Sequence, residues 1–371
     1  MMEFHVKIAA MFICASVLGI APAFSGERAA SQSKAEFVYT ANQISHNVSA
    51  YKIDPATGAL KEVAGSPFTS GKFPISVTVD HVGHFAYVAN QGSNSISTYR
   101  IDPATGALKE IAGSPFKVAT HPLAIILDPA GKFAYVTARD SSSVSAFKVN
   151  AATGALTPAG HAAATQGNPL SVTVDPKGRF VYVVNYDSNT VSAYKADPKT
   201  GDLSVAGPPV PSDIHPIFAT VDPAGKFVYV TNYGSTTISA YMIDAESGGL
   251  TPVAGSPFKT GPRPYSVSID PADHFAYVVS WSGNTVTTHA IDPRTGALSP
   301  GASSPSVATE WYPYAVSVAP SGRFAYVANN GDNDVSAYAI NPKTGALTLV
   351  AGSPFVSGKG PYSLTTAAVT H

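Results

Sequence analysis

Cysteine is almost missing: Cys14 is the only one in 371 residues. No disulfide framework can form, and no thiolate metal site can be built. Charge is sparse as well, with 23 Lys and Arg against 24 Asp and Glu and a net charge of -1. That excludes a basic face for nucleic acid or acidic lipid, and the nucleic-acid motifs are absent too. No Cys-x-x-Cys-His haem motif and no His-x-x-x-His pair occurs, and there are only two Trp. No metal and no cofactor is therefore expected. What the chain does have is 31 Gly and 30 Pro, the composition of a turn-rich, all-β protein.

The N-terminus reads as a leader. Lys7 precedes an apolar run from Ile8 to Ile20, which Ala21-Pro22-Ala23 follows. A basic start, a short apolar stretch and a small-x-small end make a secretory signal, with cleavage near Ala23 or Ser25. The run is short for a membrane span. Ile13 before Cys14 is too large for a lipoprotein signal. The expected organisation is a signal over residues 1–25, a flexible lead-in over 26–35 and one repeat domain over 36–371, secreted or periplasmic and monomeric.

The domain is built on one stretch, FAYVAN from Phe85 to Asn90. It returns from Phe37, Phe133, Phe180, Phe227, Phe275 and Phe324, seven copies spaced 47 to 49 residues apart. Each copy alternates large and small residues, the period-2 mark of a buried strand. A unit of this size needs its neighbours to close its core, so the period means an array or a propeller. The second copy shows four strands: Pro74 to Asp80, Phe85 to Asn90, Ile96 to Ile101 and Ala107 to Ala112. Gly113-Ser114-Pro115-Phe116 then leads to the next repeat. Four strands of declining hydrophobicity make one blade, and seven copies make a seven-bladed β-propeller. The chain enters at a second strand, Phe37, and leaves on an unmatched first strand from Pro361 to Val369. Pairing these two closes the ring and removes an open edge. Turns such as Asp54-Pro55-Ala56-Thr57-Gly58 lack calcium-loop spacing and read as tight hairpins in which Asp caps backbone N–H groups.

Two rings of variable residues sit on this constant frame. The first precedes the proline that opens each first strand: Phe73, His121, Asn168, His215, Arg263, Tyr312 and Gly360. Proline is expected to hold these in an extended conformation. The second follows the FAYVAN-type strand: Gln43, Gln91, Arg139, Tyr186, Tyr233, Trp281 and Asn330. Both belong to loops on one face, around the channel mouth, where variable residues on a fixed scaffold suit ligand binding. Glu310 and Trp311 precede Tyr312, and Asp140 and Asp187 flank the second ring. His215 or His121 can serve as general base. Arg263 or Arg139 can bind an anion or stabilise an oxyanion. Tyr186, Tyr233, Trp281, Trp311, Tyr312, Asn168 and Gln91 can hold a flat or sugar-like ligand. His81, His84 and His274 lie in turns of the opposite face; His161 and His289 have no evident partner, and His46 stays open.

The YVAN and YVTN cores, the DPxTGxL hairpins and the Asp-Pro strand ends resemble the lactonase-type seven-bladed propellers. These include 6-phosphogluconolactonases and carboxymuconate-cyclising enzymes, and the YVTN proteins of cell surfaces and periplasm are similar. The resemblance spans essentially the whole domain and implies a lactone or sugar-like ligand. In the cyclising branch a His-Arg-Glu set is the catalytic proposal. Arg263 matches in kind, with Pro264 where a His would follow, and Glu310 is the candidate acid. Two functions are open: an exported lactonase with His215, Arg263, His121 and Glu310 as catalytic candidates, or a non-catalytic propeller that binds a ligand or a protein partner.

Overall fold

The computed structural model describes residues 34–301 and 306–370. The expected leader and all but the last two residues of the lead-in lie outside them. From Lys34 onward the chain forms seven antiparallel sheets, the blades of a propeller. Blade 1 takes its inner strand from the C-terminus, Pro361–Val369, and its second strand from Ala35–Asn42. The two pair in register from Ala35↔Val369 to Thr40↔Leu364. Blades 2 to 7 open on the inner strands Pro74–Val79, Pro122–Leu127, Pro169–Val174, Pro216–Val221, Pro264–Ile269 and Pro313–Val318.

The recurring motifs turn out to fit one another across the blade seams. The Phe that opens each second strand packs on the hairpin Gly of the next blade. A Cβ on Gly106 would lie 2.3 Å from the Phe37 ring, and one on Gly58 equally close to Phe324. Both glycines also have positive φ, 75° and 79°, so the position needs Gly for its backbone and for its lack of a side chain. Two residues on, the motif tyrosine of four blades reaches the same hairpin: Tyr39 Oη donates to Gly106 O at 3.0 Å and Tyr326 Oη to Gly58 O at 2.9 Å, and Tyr182 and Tyr229 donate likewise to Gly248 O and Gly296 O. Tyr87 Oη and Tyr277 Oη have no hydrogen-bond partner among the described residues. The hairpin Asp works locally. Asp54 Oδ1 accepts from the N–H groups of Ala56 and Thr57 at 3.0 and 2.8 Å, which holds its carboxyl below the usual carboxylate range. The capping role is thus the observed one.

One expectation needs correction. The Gly-Ser-Pro-Phe stretch does not leave the blade. Tyr99 pairs with Glu110, and Ile96 pairs with Phe116 further along the same third strand. Gly113-Ser114-Pro115 is a bulge inside the outer strand. Ser114 Oγ accepts the Thr98 N–H at 2.9 Å, and Ser66, Ser256 and Ser353 do the same in their blades. The serine replaces a ladder acceptor that the bulge removes, which is why it recurs.

Candidate functional site

The two rings read from the sequence meet at the backbone. The first-ring carbonyl accepts the second-ring N–H of the same blade in all seven blades: Phe73 with Gln91, His121 with Arg139, Asn168 with Tyr186, His215 with Tyr233, Arg263 with Trp281, Tyr312 with Asn330 and Gly360 with Gln43, at 2.8 to 3.2 Å. The expectation of an extended first-ring residue is overturned. All seven adopt positive φ, between 47° and 68°. The pre-proline preference yields to hydrogen bonds on both sides of the residue. The carbonyl is held as above, and the N–H usually binds a side chain on the loop of the preceding blade. His121 N donates to Asn94 Oδ1 at 2.9 Å, His215 N to Asn189 Oδ1 at 2.7 Å and Tyr312 N to Asn284 Oδ1 at 2.9 Å. Non-Gly residues in this region are uncommon and gather at ligand-binding loops.

Side chains then group along the rim. In blades 5 to 7 each first-ring residue lies against the second-ring residue of the preceding blade. His215 stacks on Tyr186, centroids 4.5 Å apart and planes 8° from parallel. The Arg263 guanidinium lies 5.5 Å from the Tyr233 centroid and 5.4 Å from that of Trp281. Tyr312 stacks on Trp281 at 4.7 Å. An aromatic arc with one immobilised cation results, each contact contributing about 0.5–1.5 kcal/mol. Trp311 meets Tyr312 edge-on at 6.0 Å at the end of the arc; it is 61% exposed, and its backbone N–H donates to Asp332 Oδ2.

Blade 3 carries a different constellation. His121 Nδ1 and Asp140 Oδ2 are 2.6 Å apart, both half exposed. A carboxylate only accepts, so Nδ1 carries a proton, and in the neutral imidazole Nε2 has the lone pair. Arg139 lies in the same blade, exposed and with no hydrogen bond or ion pair on its guanidinium among the described residues. Asn168 Nδ2 donates weakly to Asp187 Oδ1 at 3.4 Å. Gln91 is half-buried beside Phe73. Glu310 is half-buried in the loop that leads into blade 7, and its charge reaches Asp334 and Tyr338 in the third strand of that blade. Burial pushes Asp334 up to about 6, Glu310 and Asp332 adding to it. Among the described residues no cluster of three or more His, Cys, Asp or Glu could hold a metal ion.

Several features were missed. Each inner strand carries a bulge directly after its proline, as between Pro264↔Ser280 and Ser266↔Val279. The bulge re-aims one residue per blade into the channel. These are Ile75, Leu123, Leu170 and Ile217 on one side and Tyr265, Tyr314 and Tyr362 on the other, around a cavity of about 110 Å³. Tyr265 Oη and Tyr362 Oη bond at 2.5 Å, and Tyr314 packs 4.4 Å from Tyr265. Burial raises Tyr265 well above the phenol range and Tyr362 to about 12. The signal was available: the residue after each X-Pro pair is aliphatic four times, then Tyr three times. His289 also has a role in packing. It stands where Tyr51, Tyr99 and Tyr241 reach a neighbouring blade's carbonyl. Being shorter, it bonds Thr260 Oγ1 at 3.0 Å beside an open cavity of about 440 Å³. Burial lowers its pKa to about 4.

A closed seven-bladed ring with a polar and aromatic mouth is the class that fold and site define. The family described as "Lactonase, 7-bladed beta-propeller" matches residues 15–121, 112–214 and 206–365, and the chain belongs to that family. Solved structures agree on the fold. A putative 6-phosphogluconolactonase of Bacteroides fragilis is 17% identical with a TM-score of 0.78, the match covering 91% of this chain and 99% of that one. The periplasmic gluconolactonase of Pseudomonas aeruginosa is 21% identical, with a TM-score of 0.76 and 91% and 100% coverage. The hydrazine synthase of Kuenenia stuttgartiensis, 21% identical with a TM-score of 0.62 over 81% and 91%, has the propeller as well. A search of curated proteins returned no match. At these identities the likeness is one of fold.

Proposed function

We propose that this protein hydrolyses a lactone at the channel mouth, outside the cytoplasm. The observation that carries the reading is the His121–Asp140 pair. Asp140 orients the imidazole and fixes its tautomer, so that Nε2 can take a proton from water as it attacks the lactone carbonyl. The carbonyl oxygen becomes an oxyanion, for which Arg263 and Arg139 are the available donors. Collapse breaks the ring C–O bond, the imidazolium returns its proton to the leaving alkoxide, and a hydroxy acid results. The aromatic arc holds the ring. His215, stacked flat on Tyr186, belongs to that platform, and Glu310, half-buried in the loop that leads into blade 7, has no part in the step. The leader-like N-terminus and the likeness to a periplasmic gluconolactonase support the location.

The arc also supports a second reading, a propeller that binds a flat or sugar-like ligand without chemistry, because stacked aromatics and a shielded guanidinium suffice for binding. Turnover of a panel of lactones at neutral pH separates the two, the panel holding gluconolactone, its 6-phosphate and muconolactones. Hydrolysis above background that falls in Arg263→Gln or Arg139→Gln supports catalysis and identifies the oxyanion donor. Saturable binding without turnover supports the second reading.

A further inference from the structure

The channel neck opens below the mouth, and its lining residue Leu123 follows His121 and Pro122 in the chain. Tyr233 of the arc meets Tyr265 of the neck edge-on at 5.9 Å. None of the residues lining the neck is charged. Most of its side-chain polar atoms already hold a hydrogen bond, Tyr314 Oη being an exception among the described residues. Tyr265 and Tyr362 share a hydrogen bond. Ser76 Oγ accepts the Ile125 N–H and Ser171 Oγ the Ala219 N–H, both at 3.3 Å. Phe218 adds a further sign. It stands where the other blades have Ser or Ala, and it remains 36% exposed while lining the hollow. Part of that ring faces the cavity rather than the packed interior of the sheets.

From this we infer that the neck binds an apolar substituent of the lactone, and that the preferred substrate is an alkyl-substituted lactone rather than a sugar lactone or its phosphate. The inference rests on the lactonase reading for its chemistry. A polyol inserted here would exchange water for mainly aliphatic and aromatic walls that offer few free donors or acceptors, whereas an alkyl chain loses nothing and is removed from water. The size is set by volume. An apolar cavity of about 150 Å³ holds benzene, so the 110 Å³ neck takes about four carbons. Placement of the cations agrees. Arg139 in blade 3 and Arg263 in blade 6 stand three blades apart, and Arg263 is covered by two rings, so no phosphate-binding cluster forms.

The test is a length series: δ-valerolactone, δ-hexalactone, δ-nonalactone and δ-dodecalactone, with glucono-δ-lactone beside them. kcat/KM is expected to rise about fourfold per methylene up to the butyl side chain of δ-nonalactone and then to level or fall. Leu170→Phe, which fills the neck, should move the optimum to shorter chains. Leu170→Ala should move it to longer ones. A flat series, or preference for gluconolactone, overturns the inference while leaving the lactonase reading intact. Binding is measured in parallel, by Trp and Tyr fluorescence, with 2-butyltetrahydropyran and tetrahydropyran, which cannot be hydrolysed. If no lactone is turned over, the catalytic reading fails and binding alone decides. Saturable binding of the butyl ether that Leu170→Phe weakens about tenfold or more supports the neck as an alkyl site; equal binding of the two ethers, or none, overturns it.

Discussion

Asp273 shows what one residue can do to this frame. The turn at that level carries Gly131, Gly178, Gly225 and Gly322 in other blades, all at positive φ, and Asp273 keeps that conformation with φ 62°. Its carboxyl comes against Asp222 of the neighbouring blade. Asp222 Oδ2 and Asp273 Oδ1 are both buried and lack a donor, a need that a shared proton meets. Burial, then the Asp222 charge and hydrogen bond, then Asp270 raise Asp273 to about 7, with Lys226 opposing. The sign follows. The folded state holds this proton more tightly than the unfolded chain, whose Asp titrates near 4. The stability it contributes is full below about pH 4 and is lost as pH rises through about 7. Solvent reaches the site, so the effect is on the order of 1 kcal/mol. Asp273→Gly should therefore raise the melting temperature at pH 8 more than at pH 5. Equal shifts at both would contradict the shared proton. Neutral His289 gives a second test: His289→Tyr should restore the seam hydrogen bond seen at Tyr241 and raise stability by about 1 kcal/mol, measured by urea unfolding.

At the scale of elements, strands and hairpins were legible because period-2 alternation and Asp-Pro-x-Thr-Gly turns are local signals. The outer-strand bulge was not. Gly-Ser-Pro reads as a connection until one knows that Ser114 supplies an acceptor to the strand beside it. Ser114→Ala should leave the Thr98 N–H without that acceptor and cost about 1–2 kcal/mol, read in the urea midpoint. The first-ring conformation was misread for a related reason. Local sterics favour an extended residue before proline, but Asn94 and Asn189 on neighbouring blades hold His121 and His215 at positive φ. The bulge behind each of these prolines then turned Tyr265, Tyr314 and Tyr362 inward. Long-range hydrogen bonds of this sort leave no mark in a window of a few residues.

At the scale of the molecule, ring closure was readable from the unmatched terminal strands alone, and it is the observed pairing of Ala35–Asn42 with Pro361–Val369. The seams explain the repeat: Phe37 needs Gly106, and Tyr39 needs its carbonyl. Gly106→Ala should cost about 1–3 kcal/mol or more, through overpacking and a disfavoured backbone. The site was half legible. Both rings could be aligned by eye, since the frame between them is constant. Which members meet could not, because stacking of His215 on Tyr186 and pairing of His121 with Asp140 depend on how neighbouring loops turn.

The central claim is that the mouth does chemistry through His121 held by Asp140. Its most direct test is kcat/KM for the best-hydrolysed lactone over about pH 5–9, for the parent, His121→Ala and Asp140→Asn. The account predicts a loss of roughly 10²-fold or more in His121→Ala. Asp140→Asn should lose activity to a smaller extent, since the imidazole keeps its place and loses the carboxylate that orients it. Full activity in His121→Ala, or undiminished activity in Asp140→Asn, would contradict it.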